Sequence, residues 1–404
     1  ARTYYSTEGS SQCIRAMLHL ALQMRAAKAG RPVLLAARNA HKALLYAAAL
    51  LDFDIQWLWP APDAAGALCT CPVEPEALAS ALDELSAEGR TPFGVYLTSP
   101  DYLGFVQDVA GLSAVCHAHG LPLLVDNAHG AYLHFLKEGG RHPIQLGADL
   151  CCDSAHKTLP VLTGGAYLHL GTSVQADEAA VRNALALFGS TSPSYLILQS
   201  LDAANAVLAD GFREKLDICR WRLGMLCREL DALRPGLALP LTGAHREPLK
   251  LTLDAAVLGL SGQQLAQALR ERGVECEYAD PRYIVLMPSA ESSAAEFACL
   301  QTALHAICGE APAADVSVTA DDPAAFAALA GALEAQPRRF TIREAVLAPQ
   351  EMIPAAEAVG RICAAPAVSC PPAIPIVVSG ETVPPEALPL FARYGIEKAA
   401  VVKE

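Results

Sequence analysis

The sequence predicts an α/β fold built on a mainly parallel sheet, and three observations carry that prediction. Short apolar runs alternate with helical patterns over roughly the first 170 residues. Gly, Ser, Asp, His and Lys cluster just after those runs, where ligands collect in sheets of this kind. The composition is 52% hydrophobic with few aromatics, which suits packed helices and strands rather than a disordered chain.

Each element follows from its pattern. Tyr4–Ser6 reads as a strand, followed by Gly9-Ser10-Ser11 and a helix over Cys13–Ala27. Small polar residues between a strand and a helix can cradle an anion, and they can equally be an ordinary N-cap. Pro32–Ala36 is the next strand, and Arg38-Asn39-Ala40-His41-Lys42 opens a helix over Ala43–Leu51. Strands at Ile55–Leu58 and Gly94–Leu97 flank an amphipathic helix at Glu74–Glu88, and Thr98-Ser99-Pro100 closes the second of them. A helix at Val109–His119 leads to the apolar strand Leu121–Val125, which ends in Asp126-Asn127-Ala128-His129-Gly130. A further helix–strand step gives Asp149–Cys152, then the segment Ser154–Thr158, then a strand at Ala166–Leu170.

The second half reads as smaller units. A long helix over Leu196–Leu233 precedes strand Leu249–Leu253, helix Gly262–Arg272, strand Ile284–Met287 and helix Ala294–Ile307. The stretch 309–322, rich in Ala, Pro and Asp, reads as a linker before a last part over 323–404. With 404 residues, two or three domains are expected.

Composition excludes some functions. A formal net charge of −13 argues against a general nucleic-acid binder. No apolar run approaches the ~20 residues of a membrane-spanning helix. The 13 cysteines are scattered without zinc spacing, and Cys69-Thr70-Cys71 is one residue short of a CxxC pair. An odd cysteine count without a secretory leader fits a reducing cytoplasm. The chain opens on Ala1 rather than methionine, so a fragment or trimmed product is expected.

The polar residues converge on one chemistry. Ser154-Ala155-His156-Lys157-Thr158 follows an apolar run, and Asp126 stands 31 positions before Lys157 at the end of another. Burial makes an amine easier to deprotonate and so a better nucleophile toward an aldehyde. A carboxylate held nearby keeps a pyridine nitrogen protonated, so the pair suits pyridoxal 5'-phosphate. Ser10, Ser11, Ser154 and His156 are available as phosphate donors, and His41 stands at the mouth of another strand. Plainer alternatives stand beside these: an exposed lysine, a turn-capping aspartate, an N-cap serine, a histidine satisfied in the core. His117 and His119 lack partners at ligand spacing, so no metal is expected.

These segments resemble the Orn/Lys/Arg decarboxylases, a branch of the fold-type I pyridoxal phosphate enzymes. The likeness rests on Tyr4–Ser11, Arg38–Lys42, Val125–Ala131 and Ser154–Pro160 with Thr163-Gly164-Gly165. It continues through Ser190-Thr191-Ser192-Pro193-Ser194-Tyr195, Pro371-Pro372-Ala373-Ile374-Pro375 and Gly380-Glu381. The Ser-x-His-Lys-Thr segment is specific; Gly-Ser-Ser is not.

The resemblance implies a large cofactor-binding domain over 1–195, a connecting helix and small α/β domain over 196–308, a linker over 309–322 and a C-terminal domain over 323–404. It implies decarboxylation of arginine, lysine or ornithine by a cytoplasmic homodimer. Lys157 would carry the cofactor covalently, Asp126 would pair with the pyridine nitrogen, and His41 would stack on the ring. Ala128 would lie against the other face, and His129 is counted with the cofactor-binding residues. Ser10, Ser11, Ser154 and His156 would hold the phosphate, with Thr191 or Ser192 reaching a phosphate across a dimer interface. Glu381 would meet the substrate's distal cation. Asn127 stands where the family has Glu, Ala373 stands where it commonly has Gly, and an upstream Pro-Gly-His-Lys segment is expected but not present. Another fold-type I reaction is the alternative enzyme, with Arg282 or Arg338 to bind a substrate carboxylate. A non-catalytic paralogue is the other.

Overall fold

The computed structural model describes residues 1–25, 30–60, 70–137, 139–241, 243, 245–311, 323–337, 339–365 and 375–403. Strand β1 (Arg2–Ser6) leads directly into helix α1 (Gly9–Met24). The chain then alternates through β2 (Val33–Ala37), α2 (Lys42–Leu51), β3 (Asp54–Leu58), α3 (Pro75–Ala87), β4 (Val95–Thr98), α4 (Val109–Ala118) and β5 (Leu123–Asp126). It continues with β6 (Leu150–Asp153), the single turn α5 (Ala155–Thr158), β7 (Ala166–Leu170) and α6 (Glu178–Leu187).

These seven strands form one sheet in the order β1-β7-β6-β5-β4-β2-β3. Strands β2 to β6 pair in parallel, whereas β7 runs antiparallel to both of its neighbours. The predicted mainly parallel sheet is therefore correct. Strand β5 is buried along its whole length, as a run of Leu-Leu-Val in the middle of a parallel sheet should be. On one face, α1 buries Cys13, Ile14, Met17, Leu18 and Ala21 at helical spacing against the sheet. The other face buries Leu78, Leu82 and Leu85 of α3 with Val109, Leu112 and Cys116 of α4.

Several boundaries differ from the sequence reading. Helix α1 starts four residues earlier than expected, so Ser10 and Ser11 form its first turn rather than precede it. Gly9 permits this because its φ is +73°, a conformation that strains other residues. The step between β5 and β6 contains two short 3-10 turns, Ala131–Phe135 and Pro143–Leu146, instead of a helix. The long helix is two, α7 (Tyr195–Ala209) and α8 (Phe212–Leu233), broken at Gly211 with φ +75°.

A second core follows. Strands β8 (Leu251–Asp254), β9 (Tyr278–Ala279) and β10 (Tyr283–Leu286) form an antiparallel sheet in the order β8-β10-β9. Helices α9 (Gly262–Arg270) and α10 (Ala294–Glu310) pack on it together with α8, which presents Leu216, Leu223 and Leu230. The last part comprises α11 (Pro323–Ala335), α12 (Ile342–Leu347), β11 (Gln350–Pro354), α13 (Ala387–Arg393) and β12 (Lys398–Val402), with β11 and β12 paired antiparallel. The residues 312–322 of the expected linker and Pro371–Ile374 of the Pro-rich motif lie outside the described residues. Among the described residues, no helix is long and apolar enough to cross a membrane.

Candidate active site

The carboxyl ends of the parallel strands meet the head of α1 around a cavity of about 210 Å³. Strand β5 delivers Asp126, Ala128 and His129 to its wall; the turn after β6 delivers Ser154, His156 and Lys157. Ser10 and Ser11 come from α1, and His41 comes from the residue that caps α2. Eight of the residues singled out in the sequence as strand-end candidates thus share one cavity with Lys157.

Lys157 Nζ lies 2.9 Å from His129 Nε2 and 5.5 Å from the centroid of the Tyr102 ring. Burial lowers its pKa below the ordinary lysine value, against the pull of Asp126 and Glu277. His129 is buried and surrounded by cationic groups, and its pKa falls well below that of a free imidazole. It is therefore neutral, and its Nε2 accepts a hydrogen bond from Lys157 Nζ. His129 Nδ1 is buried without a partner.

Asp126 is 2% exposed, and its carboxylate is held in place from two sides. Tyr96 Oη donates to Oδ2 (3.1 Å), and the Ala128 N–H donates to Oδ1 (3.1 Å). His41 Nδ1 accepts from the Ala43 N–H at 3.2 Å, which leaves Nε2 as the protonated nitrogen. Burial lowers the His41 pKa, so this ring is neutral too.

At the α1 end, Ser154 Oγ donates to Ser10 Oγ (2.8 Å), and His156 Nδ1 pairs with the Gly165 carbonyl (2.9 Å). Free N–H groups at a helix start, with neutral hydroxyls around them, form an anion site. Asn39 also lines the cavity, and both polar atoms of its side-chain amide are buried without a protein partner. A buried lysine with a lowered pKa, a fixed carboxylate, hydroxyls at a helix start and an unsatisfied amide fit pyridoxal 5'-phosphate.

The departure at Asn127 has a physical counterpart. Its Nδ2 donates to Asp153 Oδ1 at 2.7 Å, in a fully buried contact. Asp153 Oδ2 accepts from His142 Nε2 (3.1 Å) and His169 Nε2 (3.0 Å). Burial alone would raise the Asp153 carboxyl, but the two imidazoles pull it well below the usual range. A second carboxylate at 127 would face this one directly. His142, Asp153 and His169 are also grouped closely enough to hold a metal ion. The Ile144 N–H, however, points at His142 Nδ1 (3.3 Å), so that ring keeps its proton on Nε2. Both imidazole Nε2 atoms are turned on Asp153 Oδ2, so the three side chains form a hydrogen-bonded triad.

Three expected site residues lie elsewhere. Thr191 and Ser192 are exposed on the segment between α6 and α7, which is tied to the start of α1 by the Ser190 N–H to Glu8 Oε1 contact (2.5 Å). Glu381 is not in the Lys157 cavity. Its carboxylate is taken by Arg38, with Nη1 to Oε1 at 2.7 Å and Nη2 to Oε2 at 2.9 Å, and by the Val378 N–H at 2.8 Å. Arg38 is 0% exposed, with its guanidinium 4.8 Å and 4.5 Å from the rings of Trp57 and Trp59. The carboxylate expected to meet a substrate's distal cation is thus paired with Arg38 in this structure.

Ser99, grouped with the chemical residues in the sequence, is buried and accepts from the Gln107 N–H at 3.1 Å. The sequence reading missed Asn39, Thr98, Asp101 and Tyr102, which all line the cavity. Their position at the ends of β2 and β4 was the available signal.

Residues 1–219 match the family described as "Orn/Lys/Arg decarboxylase, major domain". The uncharacterized protein YaaO of Bacillus subtilis is 29% identical over 367 residues, covering 89% of this chain and 73% of that protein. The arginine decarboxylase of Halalkalibacterium halodurans is 27% identical over 399 residues, covering 94% and 75% respectively. The solved lysine decarboxylase LdcF of Francisella novicida superposes with a TM-score of 0.74 at 16% identity, over 100% of this chain and 70% of that one. The family match spans more than half of the sequence. This chain belongs to the Orn/Lys/Arg decarboxylase family.

Proposed function

We propose that this chain removes the α-carboxylate of a basic amino acid, giving the corresponding amine and carbon dioxide, with pyridoxal 5'-phosphate held on Lys157. The observation that carries the proposal is the pairing of Lys157 with Asp126 across one cavity whose far end is an anion cradle. When bound, the cofactor supplies an electron sink for the pair left by the departing carboxylate.

The residues divide the work. Burial favours the uncharged form of Lys157, which the amine-for-amine exchange with substrate requires. Tyr96 and the Ala128 N–H hold Asp126 in place to keep a pyridine nitrogen protonated. Ser10, Ser11, Ser154 and His156 bind the phosphate. His41, neutral and protonated on Nε2, donates to a group above the ring and with Lys157 can return a proton to Cα.

The substrate is arginine, lysine or ornithine, and the product an amine of the polyamine class. A cytoplasmic homodimer is part of the proposal, with Thr191 or Ser192 serving the partner's phosphate. Exposure of Tyr195 (82%) and Leu196 (69%) beside that segment supports a covered interface there. An aminotransferase is the competing enzyme, but Arg282 is committed to Asp254 at 2.7 Å, and Arg338 lies outside the described residues.

The test is product analysis with all three amino acids. Carbon dioxide together with agmatine, cadaverine or putrescine is expected, and Lys157→Ala should lose both the product and the absorbance of lysine-bound cofactor. A keto acid as product, or cofactor binding unchanged in Lys157→Ala, overturns the assignment. Sedimentation of Leu196→Glu should show a monomer where the parent is a dimer.

A further inference from the structure

Lys250 stands just ahead of β8, beyond the residues matched by the family's major domain. It is only 3% exposed, and a lysine is almost never buried unless its charge is met. Its Nζ donates to the carbonyl oxygens of Asp101 (2.6 Å) and Tyr102 (3.4 Å). The next two carbonyls of that turn are held from the same stretch of chain. Leu103 O accepts from Thr252 Oγ1 (3.0 Å) and Arg246 Nη1 (3.1 Å), and Gly104 O accepts from the Glu247 N–H (3.0 Å). Four consecutive carbonyls after β4 are thus gripped by residues 246–252.

The turn matters because it carries Tyr102. The Tyr102 ring meets His129 edge to face with centroids 4.6 Å apart. Lys250 Nζ and Lys157 Nζ each lie 5.5 Å from the centroid of that ring. Tyr102, His129 and Lys157 line the cavity, whereas Lys250 does not.

We propose that Lys250 is a positioning residue, which fixes Tyr102 against His129 and so holds His129 Nε2 in place as the hydrogen-bond acceptor of Lys157. Two effects combine. The carbonyl contacts set where the ring sits, and the Lys250 charge adds to those that oppose a second proton on His129. The groups acting on His129 are burial first, then Lys250, Lys157, His41 and His156. Lys250 is itself balanced by Glu247 and Asp101. Glu247 is buried, accepts from Tyr132 Oη, and has its pKa raised by burial to about 7. The inference rests on Lys157 being the reactive lysine, but the contacts do not depend on which reaction follows.

The test uses the full chain without amino-acid substrate. The His129 resonance, assigned by its loss in His129→Gln, is titrated in ring-labelled protein, and attachment of pyridoxal phosphate to Lys157 is followed by absorbance. In Lys250→Met the His129 midpoint is expected to rise by roughly one unit, the low end for a nearby charge. Cofactor attachment should slow measurably, because the ring of Tyr102 no longer holds His129 against Lys157 Nζ. Lys250→Arg keeps the charge and should leave the His129 midpoint near its parent value. A folded Lys250→Met with an unmoved midpoint overturns the inference. If Lys250→Met fails to fold, Tyr102→Leu is read instead. It removes the ring and leaves the Lys250 contacts, and an unchanged attachment rate there overturns the inference. A chain that shows the Lys250-dependent shift yet yields no carbon dioxide refutes the proposed function and supports this one.

Discussion

Replacing Glu381 by glutamine separates two roles for its carboxylate. Arg38 is fully buried between Trp57 and Trp59, so removal of the Glu381 charge leaves a cation without its counter-ion. Breaking a buried pair from one side costs about 3–5 kcal/mol. Glutamine retains one acceptor oxygen, and the Pro375 and Ile376 carbonyls still accept from Arg38 at 3.3 Å and 3.2 Å. The lower end, about 3 kcal/mol, is therefore expected for Glu381→Gln. Arg38→Met should cost a similar amount, because Glu381 then keeps only the Val378 N–H. The double variant leaves no buried charge and should be no less stable than either single variant, which puts the coupling at about 3 kcal/mol. Two of the three tryptophans flank the pair, so denaturant unfolding followed by tryptophan emission reports on it directly. If Glu381→Gln unfolds at the parent's midpoint while KM rises only for basic substrates, the carboxylate serves a ligand, and the structural role argued here is wrong.

Three further outcomes follow from contacts near the site. Asn127→Asp sets two carboxyls against each other at a 2.7 Å contact, so one must retain a proton. Its folded pKa then lies above the unfolded aspartate value of about 3.9. Stability should fall as pH rises through that value, by about 2 kcal/mol at neutral pH, and a melting-temperature profile against pH would show it. Asp153→Asn removes two charge-assisted bonds from His142 and His169, worth roughly 3 kcal/mol together. Because the Asp153 pKa is depressed in the fold, this stability is present above the unfolded aspartate value and lost as pH falls through the folded one. Parent and variant should differ most near neutral pH and converge in acid. Ser10→Ala deletes the acceptor of the Ser154 hydroxyl and, on the proposed function, one phosphate donor. Equilibrium titration should show pyridoxal phosphate affinity weakened by about tenfold.

The site was legible because its residues sit at strand ends, and strand ends can be read from local pattern. Asp126 and Lys157 each follow an apolar run, and parallel pairing of β5 with β6 brings those ends together. The start of α1 was misplaced because the pattern does not say that Gly9 adopts a positive φ. The fate of Glu381 was not legible at all. Its partner lies 343 positions away, and no local periodicity encodes a buried pair of that separation. The same holds for the grip of residues 246–252 on the turn after β4. Such contacts depend on how two units pack, whereas a Gly-Glu turn looks the same with its carboxylate free or paired. The break between α7 and α8 did carry a signal, since Gly211 is a poor helix interior residue.

The antiparallel pairing of β1 with β7 also sets a schedule for synthesis. Tyr4 pairs with Leu168, and the Gly9 N–H is bound to the Gly164 carbonyl at 2.8 Å. The first of the sheet's seven strands in chain order must therefore wait for the last of them. Contacts this distant in sequence close slowly, because the intervening chain must first lose its freedom. The serine hydroxyls of α1 and of the turn after β6 meet only when that closure is made. The pairing of Ser10 with Ser154 is thus among the last contacts of the sheet to form, and a nascent chain halted before β7 has Lys157 without that pair beside it.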